Sequence, residues 1–285
     1  MATVIVANDL VGVGKVALTS SLPIMSACQT EVHPLPTVLL SSHTGEFENI
    51  YMRDLTDDLK GFYKQWEHLD FTVDGLVSGY FKSREELKIV GQLARDKRIA
   101  LFVDPIMGDN GRLYQGFDME YVEAMKDFCQ QADAIIPNLT EASLLTDSPY
   151  LEVGSYDKAT VDKLLRDLTK LGPRKVVLTG ISFEEGKIGL AYFDKETNKT
   201  TYLMRKSYKS HFYGSGDLVT AILASGYFHH LNLLKVANLA LDFMDQVLSS
   251  TLASGRPLKY GLCYEPHIGY LFNGINELLE EKNEK

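Results

Sequence analysis

The sequence predicts an α/β fold built around a mainly parallel sheet. Short strand-like segments alternate with segments of helical length along the 285 residues, as residues 73–80, 83–96 and 99–103 illustrate. The last of these segments contains no polar residue, and such apolar runs are typical of strands buried on both faces. Polar side chains follow several of the strands directly, which is where ligands bind in open α/β sheets.

The first strand, residues 3–7, leads through Asn8-Asp9 into a turn that contains glycine. The turn sequence Gly12-Val13-Gly14-Lys15 is similar to a phosphate-binding P-loop. That motif, however, needs a glycine and a hydroxyl residue at positions that are Asp9 and Val16 in this chain. We therefore interpret the glycines as a tight turn that leads into a helix.

The remaining elements follow from apolar periodicity and from the glycines, prolines and capping residues between segments. Further strands are predicted over residues 37–40, 73–80, 99–103, 134–136 and 175–179. Helices are predicted over residues 15–28, 51–69, 83–96, 118–130, 158–171, 218–228, 233–251 and 268–281. Alternating segments around residues 194–198 predict an antiparallel hairpin at one sheet edge. Because we find no repeat and no linker composition, we expect residues 1–285 to form a single domain.

Composition excludes several classes of function. The net charge is −9 with no long basic run, so nucleic acid is not an expected partner. No apolar stretch approaches the ~20 residues of a membrane span, so no membrane association is expected. The apolar N-terminus is short and lacks a basic flank, which favours a strand over a signal peptide. Three widely spaced cysteines suggest neither disulfides nor a zinc site, and we expect a cytoplasmic protein.

The strongest candidate for a functional motif is Gly214-Ser215-Gly216-Asp217, which precedes an apolar helical run. Free amides and the positive end of a helix dipole favour an anion at such a helix start, and glycines allow close approach. Asp217 would repel a phosphate unless it takes a proton from the group that attacks the phosphorus. Because Asp and Ser are also favoured helix caps, the motif alone leaves a capping role equally open.

Polar residues follow five of the predicted strands, namely Asn8-Asp9, Ser41 to Gly45, Tyr80, Asp104, and Asn138 with Glu141. In a doubly wound sheet these strand ends share one edge, so the residues would line one crevice. Asp104 and Asp109 could hold Mg²⁺ and its waters, or could be turn residues. Asn138 and Glu141 also have the spacing of a helix capping box. Acids beside an anion-binding helix end fit phosphoryl transfer to a hydroxyl group.

With these motifs in place, the chain resembles the ribokinase superfamily and, within it, the pyridoxal kinase family. The resemblance rests on Ser41 to Gly45, Gly79-Tyr80, Asp104 to Asp109, Pro137 to Glu141 and Gly214 to Asp217, in that order. It implies a ribokinase-like three-layer αβα sandwich, with a mainly parallel central sheet and an antiparallel edge hairpin. The implied reaction is ATP-dependent phosphorylation of the 5′-hydroxyl group of pyridoxal, pyridoxine or pyridoxamine.

The resemblance also implies roles for individual residues. The general base would be Asp217, beside an anion hole formed by Gly214, Ser215 and Gly216. The substrate would contact Asn8, Thr44, Tyr80 and Tyr213. The nucleotide would contact Asp104, Tyr114, Asn138, Glu141, Thr179 and Gly216. Metal would be bound by Asp104, Asp109 and Glu141.

The family pattern and this chain differ after the first strand, where better-known members have Ser-His and a longer glycine turn. The contacts of Asn8 with the substrate ring are therefore the least certain part of the resemblance. The resemblance implies ATP and Mg²⁺ as cofactors, leaves a monovalent cation open, and implies a homodimer. Hydroxymethylpyrimidine phosphorylation on the same fold is the rival activity. A catalytically silent ligand-binding protein is the rival outside the enzymes, and an intact acid at position 217 argues against it.

Overall fold

Apolar segments of the sequence form the strands of a mainly parallel sheet in the computed structural model, which describes residues 1–284. The chain divides into two compact units. One unit combines Met1–Val77 with the segment that begins at Tyr208, and the other is Ser78–Ser207. Whether the units also form one domain, as the sequence predicts, stays a prediction.

The N-terminal segment of the first unit carries most of its strands. Its elements are β1 (Ala2–Val13), α1 (Ala17–Ala27), β2 (Thr30–Ser42), β3 (Met52–Asp54), α2 (Thr56–Trp66) and β4 (Gly75–Ser78). The strand order is β4-β1-β2-β3, with β1 and β2 parallel and β3 antiparallel to β2. Helix α1 packs against both β1 and β2.

The second unit contains the remaining strands of the sheet and a small hairpin. Its elements are α3 (Arg84–Lys97), β5 (Ala100–Val103), β6 (Gly108–Asp109), β7 (Arg112–Leu113), α4 (Met119–Cys129), β8 (Ala134–Ile135), α5 (Leu139–Leu145), α6 (Lys158–Leu171), β9 (Lys175–Ile181), β10 (Lys187–Asp194) and β11 (Lys199–Lys206). The strand order is β11-β10-β9-β8-β5, and β10 and β11 form the predicted antiparallel edge hairpin.

Three helices complete the first unit. They are α7 (Ser215–Phe228), α8 (Leu233–Ala253) and α9 (Ile268–Asn283). Helix α7 packs against α1 and α8, and α9 packs against α8. No helix within residues 1–284 is both long enough and apolar enough to cross a membrane.

Strand burial shows that the sheet is covered on both faces. All four residues of β4 and the last three residues of β5 are buried. Because successive side chains of a strand point to opposite faces, both faces must be covered by other elements. The predicted three-layer αβα architecture with a mainly parallel sheet is confirmed.

Two strands are longer than the sequence predicts. The first continues past Asn8 to Val13, although its pairing with β2 shifts register between Asn8 and Leu10. The second includes Pro34 and Pro36, which we had placed before the strand. Within the described residues, β3 pairs only with residues 38–40 of β2. Pro34 and Pro36 precede this pairing, so the absence of their amide hydrogens breaks no hydrogen bond to β3.

Two predicted segments fold differently. Within the predicted helix 51–69, residues 52–54 instead pair with β2, and the helix begins at Thr56. The turn after Asp104 contains the hairpin of β6 and β7, which we did not predict. Its central residues, Asn110 and Gly111, have φ values of 50° and 75°. An Asn-Gly pair with two positive φ angles is the preferred two-residue hairpin turn, so the signal was present in the sequence.

Candidate active site

The Gly214-Ser215-Gly216-Asp217 motif forms an open helix N-terminus in the first unit. Gly214 is the N-cap of α7 with φ of 85°, a left-handed conformation that favours glycine, and no side chain caps the helix. The Ser215 hydroxyl donates to the Phe212 carbonyl at 3.0 Å and so does not cap the helix. First-turn amides lack an acceptor within their own helix and attract anions. Of the two alternatives that the sequence left open, side-chain capping by Ser215 or Asp217 is not observed, and the anion-binding role of this helix start stays a prediction.

Asp217 lies in the first turn of α7 with its side chain half-buried. Burial raises the pKa of its carboxyl group, whereas hydrogen bonds from the Ala17 N–H and the Asn8 side chain lower that pKa. A carboxylate with a raised pKa is a better proton acceptor near neutral pH than an exposed one. The two hydrogen bonds therefore orient the carboxylate, and its predicted role as the base stays a prediction.

A second carboxyl group, that of Asp9, lies near Asp217. Asp9 is 7% exposed, and burial together with the negative charge of Asp217 raises its pKa to about 8. Two carboxylates in one buried site do not both ionise readily. The charge of Asp217 therefore favours the protonated form of Asp9.

The loop that carries Thr44 is held against the same motif. Gly45 packs directly under the Tyr213 ring, and a side chain at position 45 would collide with that ring. The His43 ring lies 4.7 Å from the Tyr213 ring, centroid to centroid, and accepts a hydrogen bond from the Gly45 N–H. Thr44 itself is exposed. The first unit thus combines the predicted base, the anion hole, Asn8, Tyr213 and the loop of Thr44.

The second unit gathers a second group of predicted site residues around the start of α5. Asn138 and Glu141 form the predicted capping box: Asn138 Oδ1 accepts from the Glu141 N–H at 2.9 Å, and Glu141 Oε2 accepts from the Asn138 N–H at 2.8 Å. Asn138 Nδ2 also donates to the Gly108 carbonyl at 2.9 Å. These bonds fasten the β6–β7 hairpin to the start of α5.

The carboxyl group of Glu141 is almost fully buried. Burial and the neighbouring charge of Asp104 raise its pKa well above the usual value, and Asp109 adds to this effect. A cation would relieve that repulsion, and oxygen donors suit Mg²⁺. However, no group of three or more His, Cys, Asp or Glu side chains in residues 1–284 is arranged to hold a metal ion. The predicted metal-binding role of Asp104, Asp109 and Glu141 stays a prediction.

The remaining predicted site residues, Tyr80, Tyr114 and Thr179, also lie in the second unit. Tyr80 is half-buried and packs against Phe117, with 5.7 Å between ring centroids. Thr179 pairs with Asn138 through an isolated parallel bridge. Tyr114 is 43% exposed, and its backbone N–H donates to the Met107 carbonyl at 2.9 Å. Their predicted contacts with substrate and nucleotide stay predictions.

Comparison with known proteins places the chain in a family. The family model described as phosphomethylpyrimidine kinase matches residues 58–260. The crystal structure of pyridoxal kinase from Lactobacillus plantarum superposes with a TM-score of 0.89 at 31% sequence identity, covering 97% of this chain and 98% of that one. This chain belongs to the phosphomethylpyrimidine kinase family and, within it, to the pyridoxal kinases.

Two further relatives agree with this family assignment. A protein of Bacteroides thetaiotaomicron, described as a phosphomethylpyrimidine kinase and crystallised with pyridoxal, has a TM-score of 0.88 and 28% identity over 96% of each chain. Pyridoxal kinase of Dictyostelium discoideum is 28% identical over 212 residues, which cover 68% of this chain and 67% of that protein. The chain matches about two thirds of the length of its curated relatives.

Three residues near the predicted base were not assigned a role from the sequence. Asp9 was placed with Asn8 among the polar strand ends that line the crevice, but it was given no individual role. Ala17 has φ of 52° and donates to Asp217, which no sequence pattern indicates. His43, which holds the Thr44 loop, lies within the family motif but was not singled out.

Proposed function

We propose that this protein phosphorylates the 5′-hydroxyl group of a B6 vitamer, namely pyridoxal, pyridoxine or pyridoxamine, with ATP as the phosphate donor. The observation that carries the proposal is the oriented Asp217 carboxylate in the first turn of an uncapped helix. A base beside an anion-binding helix end is what phosphoryl transfer to an alcohol needs. Relatives named pyridoxal kinases and a related structure crystallised with pyridoxal support the choice of substrate.

In the proposed reaction the substrate hydroxyl oxygen attacks the γ-phosphorus of ATP. A new O–P bond forms, the bond to the bridging oxygen of ADP breaks, and the hydroxyl proton passes to Asp217. The amides of Gly214, Ser215 and Gly216 would stabilise the charge on the transferring phosphoryl group. The ring of Tyr213 and the Thr44 loop would hold the vitamer.

The acidic residues of the second unit are proposed to serve the nucleotide. Asn138 and Glu141 would orient Mg²⁺ through its waters, with Asp104 and Asp109 completing the negative surroundings. The ion would neutralise charge on the phosphates. Thr179, Tyr114 and Tyr80 are proposed contacts of the nucleotide and the vitamer. A monovalent cation and a homodimer are further parts of the proposal that follow from the resemblance. A cytoplasmic location is proposed from the three widely spaced cysteines.

ATP consumption by the purified protein tests the proposal. Pyridoxal, pyridoxine, pyridoxamine and hydroxymethylpyrimidine are assayed in parallel at matched concentrations with Mg²⁺. We expect turnover with at least one B6 vitamer at a higher kcat/KM than with the pyrimidine. No turnover with any of the four compounds would contradict the kinase proposal and favour a catalytically silent binding protein.

Hydroxymethylpyrimidine phosphorylation is the second candidate because the matching family model is described as phosphomethylpyrimidine kinase. The same base and anion hole would serve that reaction, since only the ring that carries the hydroxymethyl group differs. A kcat/KM for the pyrimidine above that for every B6 vitamer would establish this alternative.

A further inference from the structure

Asn8 was expected to contact the substrate ring, but its surroundings point to another role. The residue is 4% exposed and lies on β1 where the pairing with β2 shifts register. Both ends of its amide group are engaged. Oδ1 accepts from the Asp9 N–H at 3.0 Å, and the side chain donates to Asp217. Because an Asn side chain donates through its nitrogen and accepts through its oxygen, these bonds fix the orientation of the amide.

We propose that Asn8 is a positioning residue for the base: its amide nitrogen and the Ala17 N–H together hold the Asp217 carboxylate, and Asn8 acts on the reaction through Asp217. This inference rests on the proposed function of Asp217 as the base. It gives β1 and the first residue of α1, whose connection does not form a P-loop, a role in the site.

The second donor comes from a strained backbone. Ala17 has φ of 52° and is 3% exposed. A left-handed conformation is unfavourable for a residue with a side chain. Such strain persists only where surrounding contacts impose it, and it is concentrated at functional sites. Here the strained residue begins α1 and directs its N–H to Asp217.

The contacts that impose this conformation come from the site itself. A side chain at Gly214 would collide with the Lys15 carbonyl, so the anion-hole residue packs directly on the turn before Ala17. On the other side, a Cβ at Gly261 would lie 2.7 Å from the Lys15 nitrogen. Lys15 is further fixed by an ion pair to Glu265 at 2.5 Å. The turn that carries the Ala17 N–H is therefore held between the anion hole and the C-terminal segment.

The charge distribution makes the two donors necessary. Asp9, on the same strand as Asn8, is the titratable neighbour of Asp217, and its negative charge would oppose that of the base. Burial also favours the protonated form of Asp217. The two hydrogen bonds act in the opposite direction and stabilise the ionised form. Removal of the Asn8 donor should therefore raise the pKa of Asp217 as well as loosen its orientation.

The test is Asn8→Ala, with Asn232→Ala as a matched control. Asn232 caps α8 in the same unit by accepting from the Leu234 and Lys235 N–H groups, so its loss reduces stability without affecting Asp217. For Asn8→Ala we expect kcat to fall about 10- to 100-fold, since a hydrogen bond to a charged group is lost. We expect an unchanged KM for the vitamer and an acidic limb of the pH–rate profile shifted to higher pH. A raised KM with unchanged kcat and pH profile would overturn the proposal and return Asn8 to the substrate ring.

An NMR titration makes the test independent of turnover. In protein labelled with ¹³C at aspartate carboxyl groups, the Asp217 signal is assigned by its loss in Asp217→Asn, and its pKa is compared between the natural protein and Asn8→Ala. A higher pKa in Asn8→Ala supports the positioning role even if no vitamer is phosphorylated. An unchanged pKa overturns it even if the protein is an active kinase. If Asn8→Ala does not fold, Asn8→Leu, which keeps a similar size but has no donor, is titrated with the same two outcomes.

Discussion

At the scale of single residues, the site contains two acids whose carboxyl groups both have a raised pKa. Asp9 and Asp217 belong to the same unit, and Asp9 is buried whereas Asp217 is half-buried. Asp217 receives two hydrogen bonds that favour its charged form, whereas Asp9 is the acid whose pKa rises to about 8. The hydrogen bonds from Asn8 and Ala17 therefore favour the ionised form of Asp217, whereas burial and the charge of Asp217 favour the protonated form of Asp9.

Asp217→Asn tests the proposed base. The amide keeps the size of the side chain but cannot accept a proton, so kcat should fall by roughly 10²–10⁴, the usual contribution of a general base. Nucleotide affinity should remain within a few-fold, because the amides of α7 are unchanged. Steady-state kinetics and calorimetric titration with a non-hydrolysable ATP analogue give the two quantities. Turnover near that of the natural protein would show that Asp217 is not the base.

At the scale of elements, the start of α7 depends on glycine for two reasons. Gly214 has a positive φ, and its Cα lies against the Lys15 carbonyl. Any other residue at position 214 would have to adopt an unfavourable left-handed conformation, and its Cβ would collide with the Lys15 carbonyl oxygen. Residues Asn138 and Glu141 give α5 a different kind of start, because side chains there close the capping box. Helix α7 thus has first-turn amides that no side chain caps, whereas the side chains of Asn138 and Glu141 accept hydrogen bonds from amides at the start of α5.

Gly214→Ala should displace the turn at Lys15 and distort the anion hole. We expect at least a 10-fold loss of kcat/KM and a lower midpoint of thermal unfolding, because the left-handed conformation alone costs ~1–2 kcal/mol. Gly269→Ala is the matched control: it lies in α9 of the same unit, where an added Cβ meets no atom within 4 Å. Because alanine favours helix over glycine, the control should unfold at the same or a higher temperature. Equal behaviour of the two variants would contradict the proposed role of Gly214.

At the scale of the whole molecule, buried acids link stability to pH. The pKa of Asp9 is about 8 in the folded protein and near 3.8 in an unfolded chain. Between these values the unfolded chain releases a proton that the folded protein retains. Stability therefore falls as pH rises through this window and is constant, for this group, above it. Glu141 contributes in the same direction because its pKa is also raised.

Asp9→Asn should remove the contribution of Asp9 to the pH dependence of the free energy of unfolding. The natural protein should lose up to ~1.4 kcal/mol of unfolding free energy per pH unit from this one group. The amide carries no charge, so the variant should be more stable than the natural protein at pH 8 and similar to it at pH 4. Urea unfolding between pH 4 and pH 9 measures both curves. Parallel curves for the two proteins would show that Asp9 does not retain its proton on folding.

Much of the fold could be predicted because local signals and burial agree. Helix α6 begins and ends where the sequence places it, since Asp157 caps its start and Gly172-Pro173 ends it. The capping box of Asn138 and Glu141 was also evident from spacing alone. In contrast, residues 52–54 have helical character but form a strand, because pairing with β2 outweighs local propensity.

The sequence by itself determined the order of elements, the anion-binding character of the Gly214 to Asp217 motif, and the acids that follow the strands. These features depend on residue type and spacing within short segments, which a sequence displays directly. The tertiary structure decided which groups surround Asp217: the Asn8 amide and the strained Ala17 N–H donate to it, and the carboxyl group of Asp9 lies close enough for their charges to interact. All three precede Asp217 by 200 residues or more, and a contact between such distant segments arises only from the packing of α1 against α7 and β1.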